Sequence, residues 1–312
     1  MTDILLLPGD GQGPEAVSAA GTVIEAATDQ AGIVRGDIGF QAYERYGESL
    51  PYETLDLVGK HPVVVSGPTA CVGEGDARRS PLDTLMSQLD LFARSRTFRS
   101  LADGVGAPGV EATVWGSNMN PSTDITETRD VDGVTISKYI RSAFYARMMA
   151  VALSDMELSG KTKAVCLSKA DLFPQSSSMF QEAFDALFAA GGMETSHANV
   201  RQWLSDAVVN PDRYEYLVVV DLYSSIADSV FAGLTGGDAL TPTKYVGDGN
   251  TLILPGGSRT DPSVPGDMSA CSAVASAAQA LAEVGLRDES EAVLGAMRSA
   301  IAAGERSSDL GG

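Results

Sequence analysis

The chain has 312 residues, 44% of them hydrophobic, enough apolar material for more than one typical core, and no segment has the composition of a disordered tract. Its 41 acidic residues outnumber 22 basic ones for a formal net charge of -19, a balance that excludes nucleic acid and anionic membrane surfaces as non-specific partners. Cys71, Cys166 and Cys271 are far apart and odd in number, which excludes a disulfide framework and a cysteine-rich zinc site and fits a reducing cytoplasm.

Residues 1–8 run straight into a strand with no basic segment and no long apolar stretch, so neither a targeting segment nor a membrane span is expected. Apolar runs at 4–7, 63–65, 112–115, 163–167 and 216–220 predict strands. Between and after them, helical spacing over 15–29, 82–93, 136–153, 179–189 and 269–284 predicts amphipathic helices. This alternation is that of a largely parallel α/β sheet. Gly- and Pro-rich joints at 104–109 and 233–237 are the places where the chain is expected to change domain.

Several motifs punctuate these elements. Leu7-Pro8-Gly9-Asp10-Gly11-Gln12-Gly13-Pro14-Glu15 leaves a strand and opens a helix. Its glycines permit tight turning, Pro14 presets the first helical turn, and Glu15 suits the positive end of the helix. A loop follows with Ser66-Gly67-Pro68, Gly73, Gly75 and Arg79-Ser80, then Leu89-Asp90-Leu91-Phe92-Ala93 leading to Arg96. Farther on stand Lys169-Ala170-Asp171, the segment 214–229, Leu254-Pro255-Gly256-Gly257-Ser258-Arg259-Thr260-Asp261, and Ser307-Ser308-Asp309-Leu310-Gly311-Gly312.

In order and spacing, these motifs resemble those of the isocitrate and isopropylmalate (β-decarboxylating) dehydrogenases, from residue 4 to residue 312. The resemblance implies an α/β, isopropylmalate-dehydrogenase-like two-domain fold. In it a discontinuous large cofactor-side domain, 1–95 plus 236–312, carries an inserted dimerisation domain, 96–235, and the protein is a homodimer. The implied chemistry is hydride transfer from a 2-hydroxy acid to a nicotinamide, followed by loss of a β-carboxylate as carbon dioxide with help from a divalent metal. Ser80 and Arg96, with Arg94 assisting, stand where the family grips its substrate. Lys169 stands where the family has an acid or base that reaches the neighbouring subunit's cleft, although a surface lysine opening a helix reads the same way.

The chain departs from the family where charge matters most. The three metal-binding aspartates are replaced by Arg201, Ser225 and Ser229, and a guanidinium repels a cation, so a divalent metal is not expected. The opposite reading, that Asp206, Asp221 or Asp228 rebuild the site, stays open. Arg201 is read either as a fixed charge for a substrate carboxylate or as a plain surface residue. Two further substrate arginines are missing, Met86 standing at one place and residues 116–120 reading Gly-Ser-Asn-Met-Asn at the other. Thr126 occupies the place of the catalytic tyrosine.

In the cofactor stretch Gly257, Ser258 and Asp261 match the family, Gly256 replaces its histidine and Ser269 its adenine-contacting asparagine. Asp261 there favours NAD over NADP, because a carboxylate repels a 2′-phosphate, although Gly-Gly-Ser before an aspartate is also an ordinary turn. His61 and His197, the two histidines, show no Ser, Cys or Asp partner in the sequence and read as bland positions. The expectation is a metal-independent enzyme of this fold acting on a small carboxylic acid in a specialised biosynthetic pathway, with NAD as cofactor or substrate. A non-catalytic ligand- or partner-binding homologue and an ordinary metal- and NAD-dependent dehydrogenase are the alternatives.

Overall fold

Residues 3–71, 80–118, 125–220, 222–257, 270–307 and 310 are described in a computed structural model of the chain. The first elements are β1 (Ile4–Leu7), α1 (Gly13–Ala27), β2 (Ile33–Arg35), α2 (Phe40–Tyr46), α3 (Tyr52–Lys60), β3 (Val63–Ser66), α4 (Pro81–Gln88) and β4 (Ala93–Arg99). Then come β5 (Glu111–Ser117), the hairpin β6 (Ile125–Arg129) and β7 (Val134–Lys138), α5 (Ser142–Leu158), β8 (Lys163–Ser168), α6 (Pro174–Phe188), β9 (Glu194–Asn199) and α7 (Val200–Val209). The last are β10 (Tyr216–Val219), α8 (Ser224–Leu234), β11 (Thr243–Val246), β12 (Thr251–Leu254), α9 (Ala270–Glu283) and α10 (Arg287–Ala302).

The chain divides into two units. One comprises Met1–Leu91, Arg96–Val110 and Phe231–Gly312, the other Phe92–Ser95 and Glu111–Val230. In the first, strands run in the order β2-β1-β3-β12-β11. β2, β1, β3 and β12 are mutually parallel, while β11 pairs antiparallel with β12, Lys244 opposite Ile253. Alternation along the strands splits the apolar side chains between two faces. Leu6, Val65 and Ile253 pack with Val17 and Ile24 of α1 and Ala277 and Leu281 of α9. Leu5, Val64 and Leu252 pack on the other face with Val58 of α3 and Leu82 and Leu85 of α4. Such strands, apolar on both sides, are what a parallel sheet covered by helices requires. Residues 100–110 are held in this unit because Ala107 donates to the Leu234 carbonyl at 2.6 Å.

In the second unit the order is β5-β10-β8-β9, all parallel, with Leu217 opposite both Val114 and Val165. Phe180, Phe184 and Phe188 recur every four residues on α6 and are fully buried. Tyr145 of α5 meets Phe180 edge-on at 4.9 Å. The β6–β7 hairpin pairs only with itself, Thr126 opposite Ser137.

Two predicted helices differ from the observed elements. The helix expected over 82–93 stops at Gln88, because Asp90 takes a positive φ of 46° and β4 starts at Ala93. The helix expected from 136 starts at Ser142, since Val134, Thr135, Ile136 and Ser137 are spent on β7. Short apolar runs fit periods of 2 and 3.6 about equally, and pairing across the hairpin decides between them.

Candidate active site

In the first unit the parallel strands β1 and β3 end side by side, and the loops at those ends are welded by Asp10. This carboxylate is 6% exposed. Its Oδ1 accepts from Phe40 N and its Oδ2 from Ala70 N, each at 2.7 Å, while Asp10 N donates to the Pro68 carbonyl at 2.7 Å. Only glycine fits around this weld: a Cβ on Gly67 would lie 2.1 Å from the Pro8 carbonyl oxygen, and one on Gly9, at φ +68°, 2.4 Å from that of Pro68. The GDG sequence is therefore a three-loop joint at the end of a parallel sheet, where α/β proteins place ligands.

Ser80 precedes α4. Its hydroxyl lies 2.5 Å from Thr69 Oγ1 and caps α4 by accepting from Asp83 N at 3.5 Å, while Leu82 N donates to Thr69 Oγ1. Thr69 and Ser80 are thus engaged with each other.

Arg96 is buried on β4, and its guanidinium is turned to the protein. Nη1 donates to Asp238 Oδ1 at 2.5 Å, and Nη2 donates to the carbonyls of Asp238 and Thr241 at 2.8 and 2.6 Å. It also lies over the Phe98 ring at 5.0 Å. At the place where a substrate grip is expected, its terminal nitrogens meet the 238–241 turn, and its Nε has no hydrogen-bond partner among the described residues. Gly256 packs on the same turn and donates its N–H to Ser272 Oγ at 2.5 Å. Gly257 follows in the left-handed region, φ +68°.

In the second unit Arg94 forms an ion pair with Asp228, Nη1 to Oδ2 at 2.5 Å, and donates from Nη2 to Ser224 Oγ at 2.9 Å. Asp228 lies on the buried side of α8 with Ala227, while Ser225 and Ser229, at the places of the family's aspartates, are exposed. One residue turns a helical side chain by about 100°, so Asp228 faces Arg94 and not the direction of those serines. Asp206 is likewise engaged: it accepts from Tyr214 Oη at 2.6 Å and Asn210 Nδ2 at 2.8 Å, with Arg213 at 3.5 Å. Those bonds, Tyr214's first, hold its carboxyl below the usual range. Desolvation and that same bond push the Tyr214 phenol up to about 12. Asp221 lies outside the described residues. Among the described residues no group of three or more His, Cys, Asp and Glu is disposed to hold a metal ion; Asp206 and Asp228 are each engaged by neighbouring donors.

Lys169 follows β8, and its Nζ meets Asp171 Oδ2 at 2.5 Å. Asp171 Oδ1 accepts from Asn199 Nδ2 at 2.7 Å, and Asn199 Oδ1 in turn accepts from Arg201 N, capping α7. The bond from Lys169, with that from Asn199, holds the Asp171 carboxyl below its usual range. The structure thus brings Lys169 and the backbone of Arg201 into one chain of hydrogen bonds, while the Arg201 residue itself is exposed. Thr126 is exposed on the hairpin, opposite Ser137. His197 corrects the sequence reading, because it does have an acidic partner, Asp185 Oδ1 at 2.8 Å, and stands edge-on to Phe184. Gly73, Ser258, Asp261 and Ser269 lie outside the described residues.

A model of the isocitrate/isopropylmalate dehydrogenase family matches residues 3–312. The chain belongs to that family. It is 26% identical over 316 residues to an isocitrate/homoisocitrate dehydrogenase of Thermus thermophilus, covering 99% of this chain and 93% of the relative. A mitochondrial catalytic subunit of an isocitrate dehydrogenase [NAD] from Arabidopsis thaliana is 28% identical over 322 residues, 98% of this chain and 83% of the relative. The crystal structure of isocitrate dehydrogenase from Methylococcus capsulatus superposes with a TM-score of 0.85 at 25% identity, over 99% of this chain and 94% of that one. The fold expected from the motifs is therefore the observed one, an α/β dehydrogenase of the isocitrate and isopropylmalate type.

Within that family fold, two site features went unread in the sequence. Asp10 carried a signal, a carboxylate between glycines in a turn that leaves a strand. Asp238 carried none, since its partner Arg96 is 142 residues away.

Proposed function

We propose that the protein is an oxidoreductase that transfers a hydride between NAD and a small carboxylic acid, works as a homodimer and needs no divalent metal. The observation that carries the reading is the full-length family match together with Lys169 held as an ion pair at the end of β8. The Lys169 side chain has N–H groups to offer, and a positioned proton donor is what protonation of the product enolate left when carbon dioxide departs requires. NAD, when bound, supplies the hydride acceptor. Gly256 and Gly257 belong to the segment that would hold its adenosine end, and on sequence alone Asp261 would take the ribose hydroxyls.

Support for a metal-free reaction comes from Asp206 and Asp228, whose carboxylates are engaged by neighbouring donors, and from the exposed serines at the aligned metal places. Support for a homodimer comes from the hairpin. Val131 is fully exposed and Val134, Ile136 and Tyr139 more than half exposed, and a two-stranded sheet with apolar side chains open to water gains stability from a covering partner. A second reading, a ligand-binding homologue without turnover, is favoured by Arg96, whose terminal nitrogens are engaged by the 238–241 turn.

The test is purified protein with NAD and a panel of 2-hydroxy di- and tricarboxylic acids, assayed for reduced nicotinamide with chelator and then with magnesium or manganese. Turnover unaffected by chelator and lost in Lys169→Ala supports the proposal. Turnover that appears only with metal would establish the ordinary metal-dependent dehydrogenase, and saturable NAD binding without turnover the ligand-binding homologue.

A further inference from the structure

We propose that Arg96 is a positioning residue for the Gly256–Gly257 segment. The inference deepens the reading that this segment takes the adenosine end of NAD, and it rests on that reading for its ligand though not for its geometry.

Arg96, 6% exposed, directs both terminal nitrogens at one turn: the carboxylate and carbonyl of Asp238 and the carbonyl of Thr241. A planar guanidinium presents its donors in a fixed fork, so these bonds set the turn's orientation as well as its distance from β4. The same two carbonyls form the surface beneath Gly256. A Cβ there would come to 2.3 Å from the Thr241 oxygen and 2.9 Å from that of Asp238. On its other side Gly256 N–H is held by Ser272 Oγ at 2.5 Å, and Ser272 is fixed within α9, where its carbonyl accepts from Ser276 Oγ at 2.7 Å. The segment therefore lies between α9 and a turn whose position Arg96 sets. The family's histidine cannot stand at 256 on this backbone, since the space of its Cβ is filled by the chain's own carbonyl. The cation is balanced by Asp238 at 2.5 Å and the carbonyl dipoles, which leaves Arg96 bound to architecture.

The experiment compares wild type with Arg96→Lys, full chain, by hydrogen exchange and by calorimetric titration with NAD. Lysine keeps the charge and loses the fork. Faster exchange by about tenfold in peptides spanning 238–241 and 254–257, with β1 and α1 unchanged, is the expected result, since a local opening is read at the amides it frees. A rise spread evenly over the unit, or no rise at those peptides, overturns the inference. Where wild type binds NAD, Arg96→Lys should weaken it by about tenfold. A raised acid KM with NAD affinity and exchange untouched is the signature of a substrate grip and also overturns it. If wild type binds no NAD yet the exchange change is local, the nucleotide reading fails and the positioning role holds. Should Arg96→Lys not fold, Asp238→Asn, whose side chain is 69% exposed, must show a smaller rise in the same two peptides, and its absence there counts against the inference.

Discussion

Removing Asp228 should unfold the second unit more readily than any removal of a surface carboxylate. In the native state its Oδ2 lies 2.5 Å from Arg94 Nη1, and the two side chains are 6% and 17% exposed. Asp228→Ala leaves a largely buried guanidinium facing one serine hydroxyl, and breaking a buried pair from one side costs about 3–5 kcal/mol. Because Arg94 retains some solvent, about 3 kcal/mol is the expected loss, a large share of a typical stability of roughly 5–15 kcal/mol. Arg94→Met with Asp228→Leu replaces both charges by apolar groups of similar size, so the double variant should fall within about 1 kcal/mol of wild type. Urea unfolding followed by far-ultraviolet circular dichroism measures wild type and both variants. The reasoning is refuted if the single variant loses under about 1 kcal/mol, or if the double variant is as unstable as the single. Manganese also should not raise the Tm of wild type through Asp228; a rise abolished by Asp228→Ala would mean that the carboxylate serves a cation.

Three further outcomes follow from the same structure. Asp206 has its carboxyl lowered chiefly by Tyr214, so its contribution is fully present above the unfolded value of roughly 3.9 and is lost as pH falls through the lower folded value. The Tm difference between wild type and Asp206→Asn should accordingly shrink below about pH 4, and a difference constant with pH would contradict this. In an alkaline absorbance titration, Tyr214 and the buried Tyr216, both raised by desolvation first, should ionise above the usual phenol range, which substituting each by Phe would reveal. Val134→Asp with Ile136→Asp should convert a dimer to monomer in analytical ultracentrifugation without loss of helical signal; an unchanged sedimentation coefficient would remove the hairpin from the interface.

The fold was legible because its signals are local. Residues 4–7 and 163–167 stand out as apolar runs, and the helix expected over 269–284 is observed as Ala270–Glu283. Where two periods compete, as at 82–93 and 134–138, only long-range pairing settles the outcome. The site divides the same way. Residue types and order brought out the GDG joint, Lys169 and the cofactor segment, but no sequence rule pairs Arg94 with Asp228 across 134 residues or Arg96 with Thr241 across 145. Both arginines read as substrate-binding residues in the sequence, and in the structure each also meets acceptors of the chain itself.

Calorimetric titration of wild type with NAD, once in excess chelator and once in manganese, probes the proposed metal-free handling of NAD and a small acid. Saturable binding with the same affinity in both is expected, and binding or turnover that appears only with manganese would refute a metal-free reaction.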